Sequence, residues 1–247
     1  MSVLTLRLAG PLQSWGAAAR FARRTTESAP TKSGVIGLLA AAKGIQRGDD
    51  ERLAPLAALR FAVRIDQPGT RLRDFQTAHH ADTGKAMPLS ERFYLADAVF
   101  VAAIEGHGDL LGELHAALAA PVYPPFLGRR SCPPAQPVNM RLHPESGLLD
   151  ALSTEPWQAS TWYARRRRNS PTVPLAVLHE TTADDQNADV LRDQPVSFAA
   201  EYRRHALRTV VRSEVEAPNP HARSLPRSNP QVPHQHDPMA VLAEVSD

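Results

Sequence analysis

The chain has 247 residues with a formal net charge of +2 at pH 7, and 43% of its residues are hydrophobic and 22% charged. These values are ordinary for a globular protein with its own core, so they exclude a disordered chain and do not by themselves indicate a nucleic-acid-binding protein. The single cysteine, Cys132, excludes an intramolecular disulfide and a multi-cysteine zinc site.

Hydropathy gives no sign of a membrane segment. The chain contains no run of about 18 apolar residues, which a membrane-spanning helix requires. The opening segment, Met1 to Leu8, is too short and too alternating for a signal peptide because Arg7 interrupts its apolar residues. We therefore expect a cytoplasmic protein with no membrane partner.

The charge is unevenly distributed along the chain. Residues 1–180 carry 21 Lys and Arg against 16 Asp and Glu, whereas residues 181–247 carry 7 against 10. Arginine supplies 25 of the 28 basic residues. Guanidinium groups hold phosphates bidentately and stack on bases, but a GC-rich genome also enriches arginine, so its abundance alone decides nothing.

The first half of the chain alternates strand and helix patterns. Residues 3–8 predict a strand that breaks at Gly10-Pro11, and residues 30–44 predict a helix with Thr31 or Ser33 as N-cap and Gly44 as its stop. Further along, apolar spacing predicts strands at 59–65 and 98–104, a helix at 109–120, and an edge strand at 122–132 that runs into a turn.

The order of these elements is β-α-β, a long insertion, and then β-α-β. This is typical of an α+β, modified ferredoxin-like or RRM-like fold, in which two helices cover one face of a four-stranded sheet. The insertion, at about residues 69–97, is longer than ordinary loops. Its two ends look extended and its middle is polar, so we predict a protruding β-hairpin.

The pattern loosens after Pro137. A short helix at 148–152 and a late strand at 206–212 are predicted within an otherwise irregular C-terminal extension. From Glu216 onward prolines and polar residues dominate, and such a segment buries too little apolar surface to order itself. We therefore expect one domain over residues 1–215 and a flexible proline-rich tail over residues 216–247.

Two polar clusters near the N-terminus are candidate binding elements. In the first, Gln13 offers hydrogen bonds and Trp15 either stacks on a base or belongs to the core, with Arg23 and Arg24 following. The second, Lys32-Ser33, opens the predicted helix. The unpaired N–H groups there suit an anion, although a Ser or Thr at a helix start is also an ordinary cap.

Two further clusters lie later in the chain. A glycine precedes Arg129, Arg130 and Ser131, which suits a turn that clamps phosphate. Cys132 beside them fits a packed thiol better than a nucleophile, since no histidine motif accompanies it. The predicted hairpin interleaves basic and aromatic residues, a pattern that suits nucleic acid; its basic members include Arg71, Arg73 and Arg92.

Three hairpin residues allow a catalytic alternative. In this alternative, His79, His80 and Lys85 would serve as general base, general acid and charge stabiliser in metal-independent RNA cleavage. Adjacent histidines point to opposite sides of a strand, which disfavours this use. The basic run 165–168 is either a solvated surface or a phosphate contact, and the histidines of the tail show no spacing for a metal.

Taken in order, the clusters resemble the CasD family of type I-E CRISPR Cascade. The resemblance covers about residues 1–135. It is carried by Arg7-Leu-Ala-Gly-Pro-Leu-Gln-Ser-Trp-Gly16, Pro30-Thr-Lys-Ser-Gly-Val-Ile-Gly-Leu-Leu-Ala40, Gly44-Ile-Gln-Arg47, Leu72-Arg-Asp-Phe-Gln-Thr77, Arg92-Phe-Tyr-Leu-Ala-Asp97 and the strand and turn Tyr123-x-Pro-Phe-Leu-Gly-Arg-Arg-Ser-Cys-Pro133.

The resemblance implies a non-catalytic subunit that binds the five-prime handle of the crRNA and caps the backbone filament. The partners it implies are the Cascade backbone subunit and the large subunit beside it, with target DNA engaged only indirectly and no cofactor or metal. The hairpin becomes a thumb with Arg71, Arg73 and Arg92 as candidates. The handle candidates are Gln13, Trp15, Lys32, Ser33, Arg129, Arg130 and Ser131. The alternative is a metal-independent endoribonuclease that processes precursor crRNA.

Overall fold

The computed structural model describes residues 1–16, 23–181 and 187–223. No helix among these residues is long and apolar enough to cross a membrane. The elements in chain order are β1 (Ser2–Ala9), β2 (Leu12–Gln13), β3 (Arg23–Arg24), α1 (Lys32–Ala42), α2 (Asp50–Ala57), β4 (Arg60–Gln67), β5 (Thr70–Gln76), β6 (Ser90–Ala96), β7 (Val99–Gly106), α3 (Gly108–Ala119), β8 (Asn139–His143), α4 (Leu148–Thr154), α5 (Thr161–Arg166), β9 (Thr172–Glu180), β10 (Asp189–Ser197) and β11 (Arg204–Pro218).

An antiparallel seven-stranded sheet forms the centre of this mixed α/β fold. Its strand order is β10-β11-β9-β4-β7-β1-β8. Because side chains alternate along a strand, β1 sends Leu4, Leu6 and Leu8 to one face and Val3 and Thr5 to the other. Both faces are buried, which explains why the central strands read as nearly continuous apolar runs.

Three helices cover the face that carries Leu4. Helix α1 is capped as predicted: the Thr31 hydroxyl accepts a hydrogen bond from the Gly34 amide at 3.2 Å, and the chain turns at Gly44. Helix α3 buries Leu111, Leu114 and Leu118, in agreement with its predicted spacing. Helix α2 was not predicted, because it has only eight residues and contains a proline.

The opposite face is covered by α4 and the chain that follows it. The guanidinium of Arg64, fully buried on β4, pairs with Asp66 and donates to the Glu155 carbonyl at 2.8 Å. The indole of Trp157 donates to the Asp66 carbonyl at 2.9 Å. Burial raises the pKa of the Asp66 carboxyl, and the hydrogen bond from Arg64 opposes that shift. This pair fastens the α4–α5 connection to the sheet.

A smaller sheet is built around β6. Strands β5 and β6 form an antiparallel hairpin in continuous register from Thr70↔Ala96 to Gln76↔Ser90, within the predicted insertion. On its other side, β6 pairs with β2 and, in parallel, with β3. The loop that follows β1 therefore returns along the base of the hairpin.

The predicted edge strand at 122–132 is wrong. These residues form turns, and the strand that pairs with β1 on its outer side is β8, at Asn139–His143. The segment and its immediate flanks contain five prolines, which lack the N–H that a strand ladder needs.

The prediction of an irregular C-terminal extension is also wrong. Residues 172–218 supply β9, β10 and β11, three of the seven strands of the main sheet, and the late strand predicted at 206–212 lies within β11. Pro195 and the many charged residues of β10 and β11 interrupt the apolar alternation by which a strand is predicted. Strand β11 continues to Pro218, past the predicted domain end at 215, and residues 224–247 of the predicted tail lie outside the described residues.

Candidate nucleic-acid interface

Three of the predicted clusters meet around Trp15. A Cβ added at Gly34 would lie 2.8 Å from the Trp15 ring, and one added at Gly128 would overlap the Ser14 carbonyl oxygen. Gly128 also has a φ of +83°, which disfavours any other residue. The indole is fully buried. Parts of the three clusters are therefore in contact, but Trp15 belongs to the core and has no surface on which a base stacks.

Gln13 is likewise an internal residue. Its side-chain amide donates to the carbonyls of Leu8 at 3.0 Å and Ala98 at 2.8 Å, and its oxygen accepts from the Trp15 indole at 3.0 Å. The side chain is fully buried. Its prediction as an RNA contact is wrong, because its hydrogen bonds join β1, the hairpin base and the buried indole.

At the start of α1, a carboxylate of the protein itself occupies the position where an external anion would bind. The Lys32 amide donates to Asp193 Oδ2 at 2.8 Å, and the Lys32 ammonium lies 2.8 Å from Glu180 Oε1. Asp193 in turn pairs with Arg208 at 2.5 Å. Burial lowers the pKa of the Lys32 ammonium, and its hydrogen bond to Glu180 opposes this shift. Lys32 and Ser33 are buried, so their prediction as a phosphate site is wrong.

Beside these buried residues, at the foot of the hairpin, lies a group of arginines of which one is exposed and two are half-buried. Arg24 and Arg92 are neighbours in the β3–β6 ladder. Arg129 donates to the Arg24 carbonyl at 2.8 Å, and its guanidinium lies 4.8 Å from the ring centre of Tyr94. Tyr94 and Arg92 share a face of β6 because they are two residues apart. We call Arg24, Arg92 and Arg129 the hairpin-base cluster.

Two guanidinium nitrogens of this cluster have no partner. Within the part of the chain that the structure describes, Nε of Arg92 and Nη1 of Arg129 are buried and form no hydrogen bond. Asp74 lies opposite Arg92 in the ladder, but its carboxylate accepts from the Phe75 amide and the Gln76 side chain. Buried donors are almost always satisfied, so this site suits an external acceptor such as a phosphate oxygen.

The other face of the hairpin interleaves basic and aromatic side chains. Arg73 forms an ion pair with Glu91, whose second oxygen lies 3.8 Å from Arg23. The same two guanidinium groups lie over rings, Arg73 at 4.6 Å from Phe75 and Arg23 at 5.5 Å from Phe93. Phe75 is 50% exposed. This face offers a flat platform with cations beside it, as single-stranded nucleic acids require.

Arg71 acts on the backbone of the neighbouring segment. Its guanidinium donates to the Thr26 carbonyl at 3.2 Å, while Arg129 holds the same segment through the Arg24 and Thr25 carbonyls. By the alternation of β6, Arg71 lies opposite Leu95 and Arg129 over Tyr94, so they reach the segment from opposite faces. Sequence reasoning missed this clamp, because no local pattern links residues about 45 and 105 positions apart.

The turn at 127–132 presents its remaining polar residues to solvent. The Leu127 amide donates to the Cys132 carbonyl at 2.7 Å and closes the turn. Arg130 and Ser131 are exposed, whereas the Cys132 thiol is buried and burial raises its pKa. A raised pKa disfavours the thiolate, so Cys132 is a packed thiol, as the sequence indicates.

The three residues of the catalytic alternative lie at the exposed end of the hairpin. A ring nitrogen of His79 is 3.1 Å from the Gly84 carbonyl oxygen, and the ring of His80 lies 3.9 Å from Asp82. The two imidazoles thus have different partners. Lys85 is exposed. No group of three or more His, Cys, Asp or Glu side chains in the described ranges is arranged to hold a metal ion.

Comparison with known proteins gives the class of this chain. A family model described as CRISPR-associated protein (Cas_Cas5) matches residues 3–211, so the chain belongs to this family of CRISPR-associated proteins. It is 40% identical over 155 residues to the CRISPR system Cascade subunit CasD of Escherichia coli (strain K12), a match that covers 56% of this chain and 69% of that protein. The resemblance to CasD inferred from the sequence is confirmed.

Solved structures agree with the sequence comparison. A chain of a CRISPR RNA-guided surveillance complex matches with a TM-score of 0.69 and 32% identity, over 91% of this chain and 95% of its own. A second structure, described as a Cas protein, matches with a TM-score of 0.65 and 35% identity, over 91% of this chain and 99% of its own. The protein is therefore a homologue of Cascade subunits.

Proposed function

We propose that this protein is a non-catalytic subunit of a type I-E Cascade complex that binds the five-prime handle of the crRNA. The observation that carries the proposal is the hairpin-base cluster, where Arg92 and Arg129 hold buried nitrogens with no acceptor in the described ranges. A phosphodiester supplies two oxygens that a guanidinium group binds well. The similarity to CasD and to a chain of an RNA-guided surveillance complex supports RNA as the source of that phosphate.

The handle would contact groups that are exposed or half-buried, and none that is fully buried. Arg24, Arg92, Arg129, Arg130 and Ser131 lie at the hairpin foot and on the adjoining turn. The basic-aromatic face of the hairpin, with Arg23, Arg71 and Arg73, acts as the thumb. The four fully buried residues among the candidates named from the sequence are not RNA contacts in this proposal, whereas the other candidates are. Gln13, Trp15, Lys32 and Ser33 shape the support beneath the site rather than contacting RNA.

The fold fits a modified ferredoxin-like or RRM-like domain. The strand order β4-β7-β1-β8, with α1 after β1 and α3 after β7, is the order that such a domain requires. Strands β9, β10 and β11 then extend its sheet beyond β4. In this proposal the subunit caps the filament of backbone subunits next to the large subunit, engages target DNA only indirectly, works in the cytoplasm and requires no cofactor.

Fluorescence anisotropy with two labelled RNAs tests the proposal. One RNA carries the handle of the neighbouring CRISPR repeat, and the other carries the same nucleotides in scrambled order. We expect tighter binding to the handle RNA, and at least about 10-fold weaker binding when Arg92→Gln and Arg129→Gln are combined, since each removes a charged hydrogen-bond donor. Arg52→Gln, an exposed arginine on α2, is the matched control. Equal affinity for both RNAs would contradict the proposal.

The endoribonuclease alternative has a separate test. Incubation of the purified protein with precursor crRNA in the presence of a metal chelator measures metal-independent cleavage directly. We expect intact RNA, because the rings of His79 and His80 are held by different partners at the hairpin end. Site-specific cleavage that disappears in His79→Ala or His80→Ala would support the alternative instead.

A further inference from the structure

A second basic surface surrounds α5 and contains none of the residues assigned to the handle. Residues 156–179 contain no aspartate or glutamate, yet they include four consecutive arginines. All four, at positions 165–168, are exposed. None of them forms an ion pair within the described ranges. Such a concentration of unpaired charge attracts a polyanion and raises its local concentration.

An exposed aromatic side chain stands beside these arginines. Trp162 is 50% exposed, whereas the other two tryptophans, Trp15 and Trp157, are 0% and 6% exposed. The Trp162 ring packs edge-on against Tyr163 at 5.7 Å, and Tyr163 in turn carries Arg167 over its face at 4.9 Å. These contacts help to order Trp162, and half of its side chain remains accessible to a ligand. A solvated helix face explains the arginines but gives no reason for an exposed indole.

The surface is built on an ordered support. The buried Asn219 side chain donates to the Arg167 carbonyl at 2.8 Å and to the Ser170 carbonyl at 3.2 Å, and the Arg223 amide donates to the Arg168 carbonyl at 2.7 Å. These bonds fix the arginine run at the end of α5. A binding surface held in place in this way loses less conformational entropy when a ligand binds.

The surface lies close to the hairpin foot. The Ser160 hydroxyl, which precedes α5, donates to the Gln67 side chain at 2.7 Å, and the Gln67 amide donates to the Asp97 carbonyl at 2.5 Å. Gln67 ends β4 and Asp97 follows β6, so both flank the hairpin. These hydrogen bonds connect the start of α5 to the base of the hairpin.

We propose that α5 and the turn after it form a second binding surface for single-stranded nucleic acid. Arg165, Arg166 and Arg168 bind phosphates, and Trp162 stacks on a base. Exposed arginines with an exposed indole are the two components that sequence-tolerant binding of single strands requires. The inference goes beyond handle recognition, since it uses none of the residues assigned to the handle and does not depend on a handle sequence.

The test uses the full chain and two labelled homopolymers of about 12 nucleotides, polyuridine RNA and polythymidine DNA, a length that suits such sites. Combining Arg165→Gln, Arg166→Gln and Arg168→Gln should weaken binding about 10-fold and lower the salt dependence, as the slope of log affinity against log salt, by about 2. Tryptophan fluorescence should be quenched on binding, because only Trp162 among the three tryptophans is accessible, and Trp162→Ala should abolish the quenching.

Two control variants distinguish binding at this surface from binding at the handle site and from a general effect of net charge. Arg92→Gln with Arg129→Gln should leave the fluorescence quenching intact. Arg47→Gln, Arg52→Gln and Arg203→Gln together remove three other exposed arginines and should preserve the affinity. The homopolymer with the larger loss identifies RNA or DNA as the ligand. Unchanged affinity for both homopolymers in the α5 variant, or an equal loss in the control variant, would overturn the inference.

Discussion

The backbone amide of Lys32 donates a hydrogen bond of 2.8 Å to the carboxylate of Asp193, a residue 161 positions later in the chain. Asp193 therefore supplies the anion at the start of α1 that the sequence suggested for a phosphate. It also pairs with Arg208, whose guanidinium lies 5.3 Å from the Phe61 ring. One buried carboxylate thus joins the first helix to the last two strands.

Removing this charge should destabilise the protein. Asp193→Asn keeps the size of the side chain but leaves the buried Arg208 with only the more distant carboxylate of Glu180, at 3.7 Å, and breaking a buried ion pair typically costs about 3–5 kcal/mol. For a domain of this size we expect the midpoint of thermal unfolding to fall by at least about 6 °C. Asp189→Asn, an exposed residue at the start of β10, is the control. A midpoint unchanged in Asp193→Asn would show that the network contributes nothing to stability.

Glycine substitutions test whether the motifs around Trp15 are structural. Gly128→Ala places a Cβ against the Ser14 carbonyl oxygen at a φ of +83°, and we expect a loss of more than about 2 kcal/mol in the free energy of unfolding. Gly112→Ala, in α3 with open space around it, should instead stabilise by about 0.5–1 kcal/mol. Urea denaturation measures both. Similar values for the two variants would contradict the packing described for Trp15.

Acid should destabilise the protein partly through His205. Burial lowers the pKa of this imidazole in the folded state, so the unfolded chain binds the proton more tightly. The contribution of His205 to stability is therefore fully present above the ordinary histidine pKa. It is lost as the pH falls from there through the lower pKa of the folded state. His205→Gln should reduce the fall in unfolding midpoint between neutral and mildly acidic pH. An identical fall in both proteins would rule out this histidine as a source.

The sequence predicted correctly those elements that are specified by residues within the element or directly beside it. Strands β1, β4 and β7 alternate or run apolar over their whole length, and Thr31 and Gly44 mark the ends of α1 as expected. Strands β9 and β10 and the two ends of β11 were missed because long-range pairing, rather than apolar pattern, orders them. Charged residues in these strands are typical of a solvated segment in the sequence. In the structure, Asp193 and Glu180 instead form ion pairs with Arg208 and Lys32.

The sequence identified the motifs of the candidate site but not the orientation of their side chains. The structure brings residues of three motifs together around Trp15. However, sequence cannot tell which side of a junction each side chain faces, and the motif glycines let Trp15 pack inward rather than letting RNA approach. The exposed Arg24 and the half-buried Arg129 of the same motifs remain the candidates. The hydrogen bonds by which Arg71 and Arg129 hold the segment before α1 could be identified only from the structure.

The salt dependence of handle binding tests the central claim most directly. Each phosphate contact on a single strand contributes about 0.7 to the slope of log affinity against log salt. We predict that combining Arg92→Gln and Arg129→Gln lowers this slope by about 1.4, because two phosphate contacts are lost. The control Arg52→Gln should keep the wild-type slope. A slope that is the same in all three proteins would mean that the hairpin-base cluster does not bind the guide RNA.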